Sequence, residues 1–550
     1  MQWFNGLHFN NLKGDIFGGL TAAVVALPLA LAFGVSSGAG PVAGMYGAIF
    51  VGLFAALFGG TPSQVSGPTG PMTVVMAGIF THFVALDPES GPAMAFTVVM
   101  LGGAFQILFG VFRLGQFITL MPFPVISGFM TGIGTIIILL QLPPLLGASS
   151  GANVLSVVQQ LPMIVQSVNL NALILGLLTL GVVFFCPKTL GKYTPPALLA
   201  MVIGTVLSFV FVGVDVIGEI PTGLPSLHWP EFELSLVKDM VISSLMLATL
   251  GSIDSLLTSL VADNMTRTQH KSDRELIGQG IGNIVAGFFG GLPGAGATMR
   301  TVVNIRAGGR TPISGCVHAV ILLMIVLGAG SFAAHIPLAV LAGLLIKVGI
   351  DIIDWRFLMR VHQAPLFVIF LMVSVWGLTV FVDLITAVAV GVFLANIYTV
   401  RRLTETQLES VRIVQDHKED HHFLSEHESE ILMTGAGRIL LYQLNGPLSY
   451  AAAKGISNKL MACTNHEVLL LDFSNVPHID VSTAMALEEV ILDSHLAAQN
   501  VLIVGAKPEV ETILQRMKVA TLIPEQYHFP SREVALEAAS ILLATPDGKP

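Results

Sequence analysis

The chain has 550 residues, of which 53% are hydrophobic and 11% are charged, and its formal net charge is −9. Soluble proteins contain about 25% charged residues, so this composition excludes a soluble globular protein, and the negative charge excludes a nucleic-acid-binding protein. Three cysteines are too few for a disulfide framework.

Charged residues are unevenly distributed along the chain. Of the 26 Lys and Arg residues, 16 lie in the first 402 positions and 10 in the remaining 148. This asymmetry indicates a large apolar body, residues 1–402, that lies in the lipid bilayer and precedes a smaller polar domain.

Fourteen apolar segments are predicted in the apolar body. A membrane-spanning helix needs about 20 apolar residues, and shorter apolar pieces indicate half-helices that are buried in protein. The segments lie near 14–34, 41–59, 68–84, 91–111, 124–142, 170–186, 195–213, 239–262, 273–289, 296–305, 312–331, 335–351, 364–381 and 384–399. The third and the tenth are short and follow Gly and Pro. The sequence therefore predicts a polytopic α-helical membrane protein with seven plus seven segments.

The positions of the positive charges orient these segments. With a cytoplasmic N-terminus, 14 of the 16 basic residues fall in inward loops or at inward helix ends, and only Lys238 and Arg300 do not. The long outward stretches 143–169 and 214–237 contain neither Lys nor Arg. Because positive loops stay on the cytoplasmic side, we expect a multi-pass protein of the cell's inner (plasma) membrane with both termini in the cytoplasm.

An internal repeat relates the two short segments. Residues 72–75 (MTVV) align with 300–303 (RTVV) at an offset of 228, and each follows a Gly-rich approach segment, 66–70 or 294–298. An odd number of spans per half inverts repeat one (about 1–213) relative to repeat two (about 238–402). Interrupted helices at matching positions of inverted repeats are typical of a transport site at the membrane midplane. The alternative is that Gly and Pro only kink two ordinary spans.

Two half-helices that start near the bilayer centre would direct free backbone N–H groups and positive dipole ends to one place, which suits a small anion. Asp254 is the only acid between residues 241 and 261, and Thr258, four residues later, shares its helix face. A carboxylate inside a membrane is functional by default. It could bind an alkali cation together with hydroxyl and backbone oxygens, take up a proton, or form a structural salt bridge with Arg300. Arg300 is then either an anion contact or only that partner.

The C-terminal region has a different pattern. Strands are predicted at 438–444, 468–473 and 501–504, alternating with helices near 447–461, 482–497, 508–517 and 531–543. The sequence therefore predicts a polar linker over 403–435 and a cytoplasmic α/β domain over 436–545. The domain has no catalytic constellation, which favours a regulatory or assembly module over an enzyme.

These motifs resemble the SulP family of anion transporters over nearly the full chain. Residues 60–71 (GTPSQVSGPTGP) resemble the family's approach to the third helix, and residues 291–304 (GLPGAGATMRTVVN) most resemble the BicA-type sodium-dependent bicarbonate transporters. The C-terminal domain resembles a STAS domain, since 471–476 (LDFSNV), Ile479 and Asp480 match its strand-loop signature.

The resemblance implies a gate-and-core architecture and a homodimer that forms through cytoplasmic STAS domains. It places the substrate anion, most simply bicarbonate, at Thr69, Gly70, Ala297, Thr298 and Arg300. It places the coupling sodium ion at Asp254, Thr258 and the backbone of Gly296, with no other cofactor. The alternatives are proton-coupled uptake of sulfate or a dicarboxylate by the same fold, and a membrane-anchored sensor whose output is the STAS domain.

Overall fold

A computed structural model of the chain describes residues 5–118, 122–148, 154–187, 195–211, 213–218, 227–382, 384–415, 423–461, 463 and 465–544. The chain divides into two units, Met1–Phe393 and Leu394–Pro550. Lys188 and Lys192, which contribute to the predicted orientation, lie outside the described residues.

The described part of the first unit is built from helices, with one pair of two-residue strands, β1 (Ser66–Gly67) and β2 (Ala295–Gly296). Its described helices are α1 (Leu12–Ser36), α2 (Pro41–Phe58), α3 (Gly70–Leu86), α4 (Gly91–Val111), α5 (Gly115–Ile118), α6 (Phe123–Leu145), α7 (Val154–Gln166), α8 (Leu170–Phe185), α9 (Pro196–Ser208), α10 (Val237–Thr266), α11 (Ser272–Phe288), α12 (Thr298–Arg306), α13 (Pro312–Ala333), α14 (Leu338–Ile352), α15 (Trp355–Leu358), α16 (Leu366–Phe381) and α17 (Leu384–Ser410), with a 3-10 turn at Val361–Gln363.

Each of the fourteen predicted segments overlaps one of these helices. In the described part of the chain, five helices (α1, α2, α4, α6 and α10) are long and apolar enough to cross a membrane by themselves. The short helices α3 and α12 begin at Gly70 and Thr298, directly after the Gly-rich approach segments. Three helices described in this unit were not predicted: the four-residue helices α5 and α15, and α7, which lies in the predicted outward stretch 143–169 and bends by 116° into α8.

Glycines bring the helices of this unit into backbone contact. A Cβ atom added to Gly103 of α4 would lie 2.5 Å from the carbonyl oxygen of Gly280 in α11, and a Cβ on Gly280 would lie equally close to the carbonyl of Gly103. Small residues at such crossings let membrane helices approach closely and gain van der Waals contact.

The second unit contains a five-stranded sheet with the order β3-β4-β5-β6-β7, in which only β3 is antiparallel to its neighbour. Alternate strand residues are buried on opposite faces, Leu469 and Leu471 on one and Leu470 on the other, as expected of a sheet that is covered on both sides. Its strands and helices are β3 (Arg412–Val414), α18 (Glu426–Thr434), β4 (Ile439–Asn445), α19 (Tyr450–Met461), β5 (Val468–Asn475), α20 (Val481–Leu496), β6 (Asn500–Val504), α21 (Pro508–Arg516), β7 (His528–Phe529) and α22 (Arg532–Ala544), with 3-10 turns at Ala520–Leu522 and Glu525–Tyr527.

The segment 403–435, predicted as a polar linker, contains regular structure. Helix α17 continues to Ser410, β3 pairs with β4, and α18 packs through Ile431 and Leu432 against the same sheet. Three residues of β3 are too few to give a recognisable alternating pattern, and their stability comes from pairing with β4. The sheet therefore begins before residue 436.

Candidate substrate and cation site

The two approach segments meet as an antiparallel pair. Ser66 of β1 pairs with Gly296 of β2, and Gly67 pairs with Ala295. Gly67 and Ala295 are also 228 positions apart in the sequence, which is the offset of the internal repeat. Repeat-equivalent residues that pair with each other lie on a local two-fold axis, so the crossing of β1 and β2 marks the axis that relates the half-helices.

Helices α3 and α12 begin on either side of this crossing. Thr69 and Ala297 are their N-caps, and the N–H groups of Thr73 and Thr301 are the first of each helix to donate to the carbonyl of the cap residue. The preceding N–H groups at each start have no intrahelical acceptor. Gly70 is buried and Thr298 is exposed. This arrangement of free donors and dipole ends suits an anion.

Helix α10 contributes hydroxyl groups that hold β2. The Ser255 hydroxyl accepts a hydrogen bond from the N–H of Gly296 at 3.0 Å, and the Thr258 hydroxyl donates to the carbonyl of Gly296 at 2.9 Å. The hydroxyl groups of Thr258 and Thr298 lie 2.7 Å apart. The structure thus brings the predicted cation residues Thr258 and Gly296 into contact with the predicted anion residue Thr298.

Asp254 is buried on the same helix, one turn before Thr258. Its side chain lies beside the hydroxyl of Thr69, but neither that hydroxyl nor Oδ2 of Asp254 has a hydrogen-bond partner among the described residues. A buried carboxylate oxygen without a donor is costly, and a cation would satisfy it. Carboxylate, hydroxyl and carbonyl oxygens are the ligand types that hard cations prefer, so these residues fit a sodium ion.

Arg300 is fully buried, and its Nη2 donates to the carbonyl of Pro68. Nη1 lies against Gly67 and has no hydrogen-bond partner in the described part of the chain. Among the ion pairs of the described residues there is none between Arg300 and Asp254. The salt bridge considered from the sequence is therefore not formed, and Arg300 of one half-helix instead fixes the approach to the other.

A second buried carboxylate, Glu275, was missed at the sequence level. It lies in the first turn of α11 and accepts hydrogen bonds from the N–H groups of Gly60 and Thr61 at 2.8 and 2.9 Å. The side-chain amides of Gln64 and Gln279 also donate to it, each at 2.8 Å. The sequence does contain a sign of it, because Glu275 is an acid inside the predicted apolar segment 273–289, as Asp254 is in 239–262. Glu275 stands at the end of its segment, where a solvated charge is ordinary.

Asn283 fixes the second approach segment. Its Nδ2 donates to the carbonyl of Gly294 at 3.0 Å, and its Oδ1 accepts from the N–H of Gly294 at 2.7 Å. Gln106 of α4 accepts from the same Nδ2 at 2.7 Å. The backbone before β2 therefore has its hydrogen bonds satisfied by a helix side chain in place of water.

Two family profiles match the chain. The profile of the sulfate permease family matches residues 12–375, which include α1 to α15, the crossing of β1 and β2, and both half-helices. The STAS domain profile matches residues 430–534, which include all strands of the second unit except β3. The two matches follow the division between the helical unit and the sheet.

Similar proteins cover nearly the whole chain. The bicarbonate transporter BicA of Synechocystis sp. is 49% identical over 547 residues, which are 99% of this chain and 97% of the relative. The solved transmembrane domain of a cyanobacterium bicarbonate transporter BicA is 54% identical, covers 70% of this chain and 100% of that domain, and superposes with a TM-score of 0.67. The murine Solute Carrier 26 family member A9 anion transporter in the inward-facing state shares the fold at 20% identity, with a TM-score of 0.83 over 97% of this chain and 92% of that one.

Proposed function

Because the chain belongs to the sulfate permease family of membrane transporters and carries a STAS domain, we propose that it takes up bicarbonate together with sodium. The single observation that carries the proposal is the crossing of β1 and β2 beside Asp254 and Thr258. At this crossing the N-terminal ends of α3 and α12, which suit an anion, lie beside oxygen atoms that suit a cation. Secondary transport needs no catalytic group, and the chain is not an enzyme.

The anion would lie between the two half-helices. The free N–H groups at the starts of α3 and α12 would bind its oxygens, with the hydroxyl groups of Thr69 and Thr298 as further donors and with Ala297 and Gly70 leaving room for close approach. Arg300, whose guanidinium is bound to the carbonyl of Pro68, would attract the anion through its positive charge. A planar, singly charged oxyanion matches a site of few donors, and the BicA relative at 49% identity supports bicarbonate.

The cation would bind next to the anion. Asp254 would supply a charged oxygen, Thr258 a hydroxyl oxygen and Gly296 a backbone oxygen. Two unit charges of opposite sign 4 Å apart attract by about 4 kcal/mol at an effective dielectric constant near 20. Each ion therefore strengthens the binding of the other, and this mutual stabilisation couples their transport.

The experiment is uptake of radiolabelled bicarbonate and sulfate into proteoliposomes, with and without an inward sodium gradient. Bicarbonate uptake that rises with the sodium gradient supports the proposal. Sulfate or dicarboxylate uptake that follows a proton gradient and ignores sodium supports the alternative in which Asp254 carries a proton. Absence of flux for every anion, from protein that is folded and inserted, favours the sensor function.

The assembly and location are part of the same proposal. The distribution of Lys and Arg supports a plasma-membrane protein with both termini in the cytoplasm, and the α/β domain supports a homodimer that forms through it. Accessibility of cysteines introduced near either terminus to a membrane-impermeant reagent tests the orientation. Crosslinking in native membranes tests the dimer.

A further inference from the structure

Glu275 is a buried carboxylate that takes part in none of the ion pairs found among the described residues. Its four described hydrogen-bond donors are two backbone N–H groups and the amides of Gln64 and Gln279. A carboxylate that accepts four hydrogen bonds offers only acceptors, which is the arrangement of the ionised form. The first turn of α11 adds its positive dipole end. The groups that hydrogen-bond to the carboxylate in the described part of the chain are thus dipoles and not basic side chains.

Gln64 connects Glu275 to the residues that are proposed to bind the cation. Its Nε2 donates to Glu275, while its Oε1 accepts from the hydroxyl of Ser259, the residue after Thr258, at 3.0 Å. Its amide also lies directly on Gly296: a Cβ added there would lie 2.6 Å from the amide carbon of Gln64. The neutral side chain of Gln64 therefore lies between the Glu275 carboxylate and Gly296, the residue whose carbonyl oxygen is proposed to bind sodium.

The buried charges beside the two approach segments do not balance. Asp254 and Glu275 are acids, and Arg300 is the base among the described residues at this place. With both acids ionised, the sum over these three side chains is one net negative charge, and a bound sodium ion brings the sum to zero. The anion then enters a site of zero net charge rather than a negative one.

We propose that the Gln64–Glu275 pair sets the dependence on sodium, by keeping an unneutralised negative charge beside Gly296 that only a mobile cation can balance. The proposal rests on the proposed sodium coupling and deepens it. In this arrangement Gln64 is a specificity-determining residue for the coupling ion. A basic side chain at this position would place a permanent cation against Glu275 and make the sodium ion dispensable.

The experiment measures thermal stabilisation of the full-length detergent-purified protein as sodium is titrated, with and without bicarbonate. In Gln64→Lys the ammonium group takes the place of Nε2 beside Glu275. We expect the sodium concentration for half-maximal stabilisation to rise by roughly tenfold or more, since a unit charge a few ångströms from the ion acts at low effective dielectric. We also expect bicarbonate to stabilise this variant without sodium.

Two further variants separate charge from hydrogen bonding. Gln64→Met has similar length, no charge and no hydrogen bond, so its sodium titration should shift by much less than that of Gln64→Lys. Glu275→Gln removes the negative charge at the other end of the pair and should weaken sodium binding as Gln64→Lys does. It tests the same charge if Gln64→Lys does not fold.

The outcomes distinguish this inference from the proposed function. Wild-type protein that sodium does not stabilise contradicts sodium coupling itself. Wild-type protein that responds to sodium, while Gln64→Lys or Glu275→Gln responds at the same concentrations, overturns only the inference. A Gln64→Met titration shifted as far as that of Gln64→Lys also overturns it, because the hydrogen bond and not the charge would then be decisive.

Discussion

A carboxylate in the middle of a membrane helix is stable only where ions or polar groups replace water around it. The two buried acids near the half-helices meet this need differently. Glu275 is surrounded by four donors, whereas Oδ2 of Asp254 has none among the described residues. A satisfied carboxylate holds structure together, and an unsatisfied one is available for a ligand. The contrast supports the proposed role of Asp254 in cation binding and places Glu275 in the surroundings of the proposed site.

Asp254→Asn should abolish most sodium-dependent uptake while the protein remains folded. The amide keeps the size of the side chain but removes the charge, and sodium affinity should fall by roughly tenfold or more at low effective dielectric. Thr258→Ala should have a smaller effect, because it removes one neutral oxygen. Sodium-driven uptake and thermal stability are the measurements. The control is Ser252→Ala, because the Ser252 hydroxyl donates to the carbonyl of Ala248 in the same helix and has no other hydrogen bond among the described residues. Normal sodium-dependent flux in Asp254→Asn would end the cation assignment.

Gly67→Ala should destabilise the crossing of the approach segments. Gly67 has a φ of +149°, and an added Cβ would lie 2.5 Å from Nη1 of Arg300 and 3.1 Å from Cα of Ala48. Strain of this kind costs about 1–3 kcal/mol and should displace Arg300 from Pro68. The matched control is Gly78→Ala on α3, where an added Cβ meets nothing within 4 Å. Thermal unfolding of both variants is the measurement, and equal stability of the two would contradict the argument.

At the scale of elements, the nine-residue helix α12 is too short to be stable alone. Hydrogen bonds hold its C-terminal end in place. Asn304 donates to the carbonyl of Ser63 at 2.9 Å and to the hydroxyl of Ser314 at 2.8 Å, and Arg310 donates to the carbonyl of Ile305 at 2.9 Å near the C-terminus. Hydrogen bonds at the C-terminal end thus fix the direction of α12, and its N-terminus remains free for the proposed ligand.

Asn283→Ala should loosen β2 and weaken substrate binding. It leaves the N–H and the carbonyl of Gly294 without their partners, and each unsatisfied buried group costs about 1–3 kcal/mol. Asn283→Asp should be intermediate, because a carboxylate still accepts from the N–H but cannot donate to the carbonyl. Thermal stability and bicarbonate-dependent stabilisation of the two variants are the measurements. An Asn283→Asp variant weaker than Asn283→Ala would indicate that charge outweighs hydrogen bonding here.

In the C-terminal domain, Arg532 clamps α18 to α22. Its guanidinium donates to both carboxylate oxygens of Glu428, at 2.7 and 2.9 Å, and lies 3.5 Å from Oδ2 of Asp472. Burial by itself raises the pKa of Glu428. The hydrogen bonds from Arg532 and Ser425, together with the charge of Arg532, lower it by more, so the pKa of Glu428 is below its usual value. The clamp joins α18, which precedes β4, to α22, which follows β7, and it depends on the charge of a carboxylate.

The clamp should lose its effect in acid. Because the folded pKa of Glu428 is depressed, its stabilisation is complete above the unfolded pKa of about 4.3 and is lost as the pH falls through the lower folded pKa. Glu428→Gln should lower the unfolding temperature of the domain at neutral pH, and the difference from wild type should shrink below about pH 4. Thermal unfolding of the full-length protein across this range is the measurement. A constant difference at all pH values would exclude the carboxylate charge as the cause.

At the scale of the whole molecule, the candidate site and the C-terminal domain are separate. Thr69, Asp254, Thr258, Gly296 and Thr298 all lie in the first unit, which ends at Phe393. The separation predicts that binding does not require the sheet. The pairing of β3 with β4 decides where the chain can be truncated, because a chain that ends near residue 430 would keep β3 without its partner β4.

Truncation after Ser410 should therefore leave a membrane unit that sodium and bicarbonate still stabilise. The change removes β3 and everything beyond it but keeps α17 intact. The measurement is ligand-dependent thermal stabilisation of the truncated protein beside the full-length chain, and the oligomeric state of both reports the role of the domain in dimer formation. A folded truncated protein that binds neither ion would show that the two units share the site.

The sequence by itself determined the class of this protein, the positions of the apolar helices, and the alternating strands and helices of the C-terminal domain, and it predicted a role for Asp254. These features depend on local composition and periodicity, which are written along the chain. Only the tertiary structure decided that Gly67 pairs with Ala295, that Arg300 donates to Pro68 rather than forming a salt bridge with Asp254, and that Glu275 bonds to Gln64. Such contacts join residues about 200 positions apart and depend on distances and directions, which no pattern along the chain encodes. The short strand β3 belongs with them, since three residues acquire their structure only from the partner beside them.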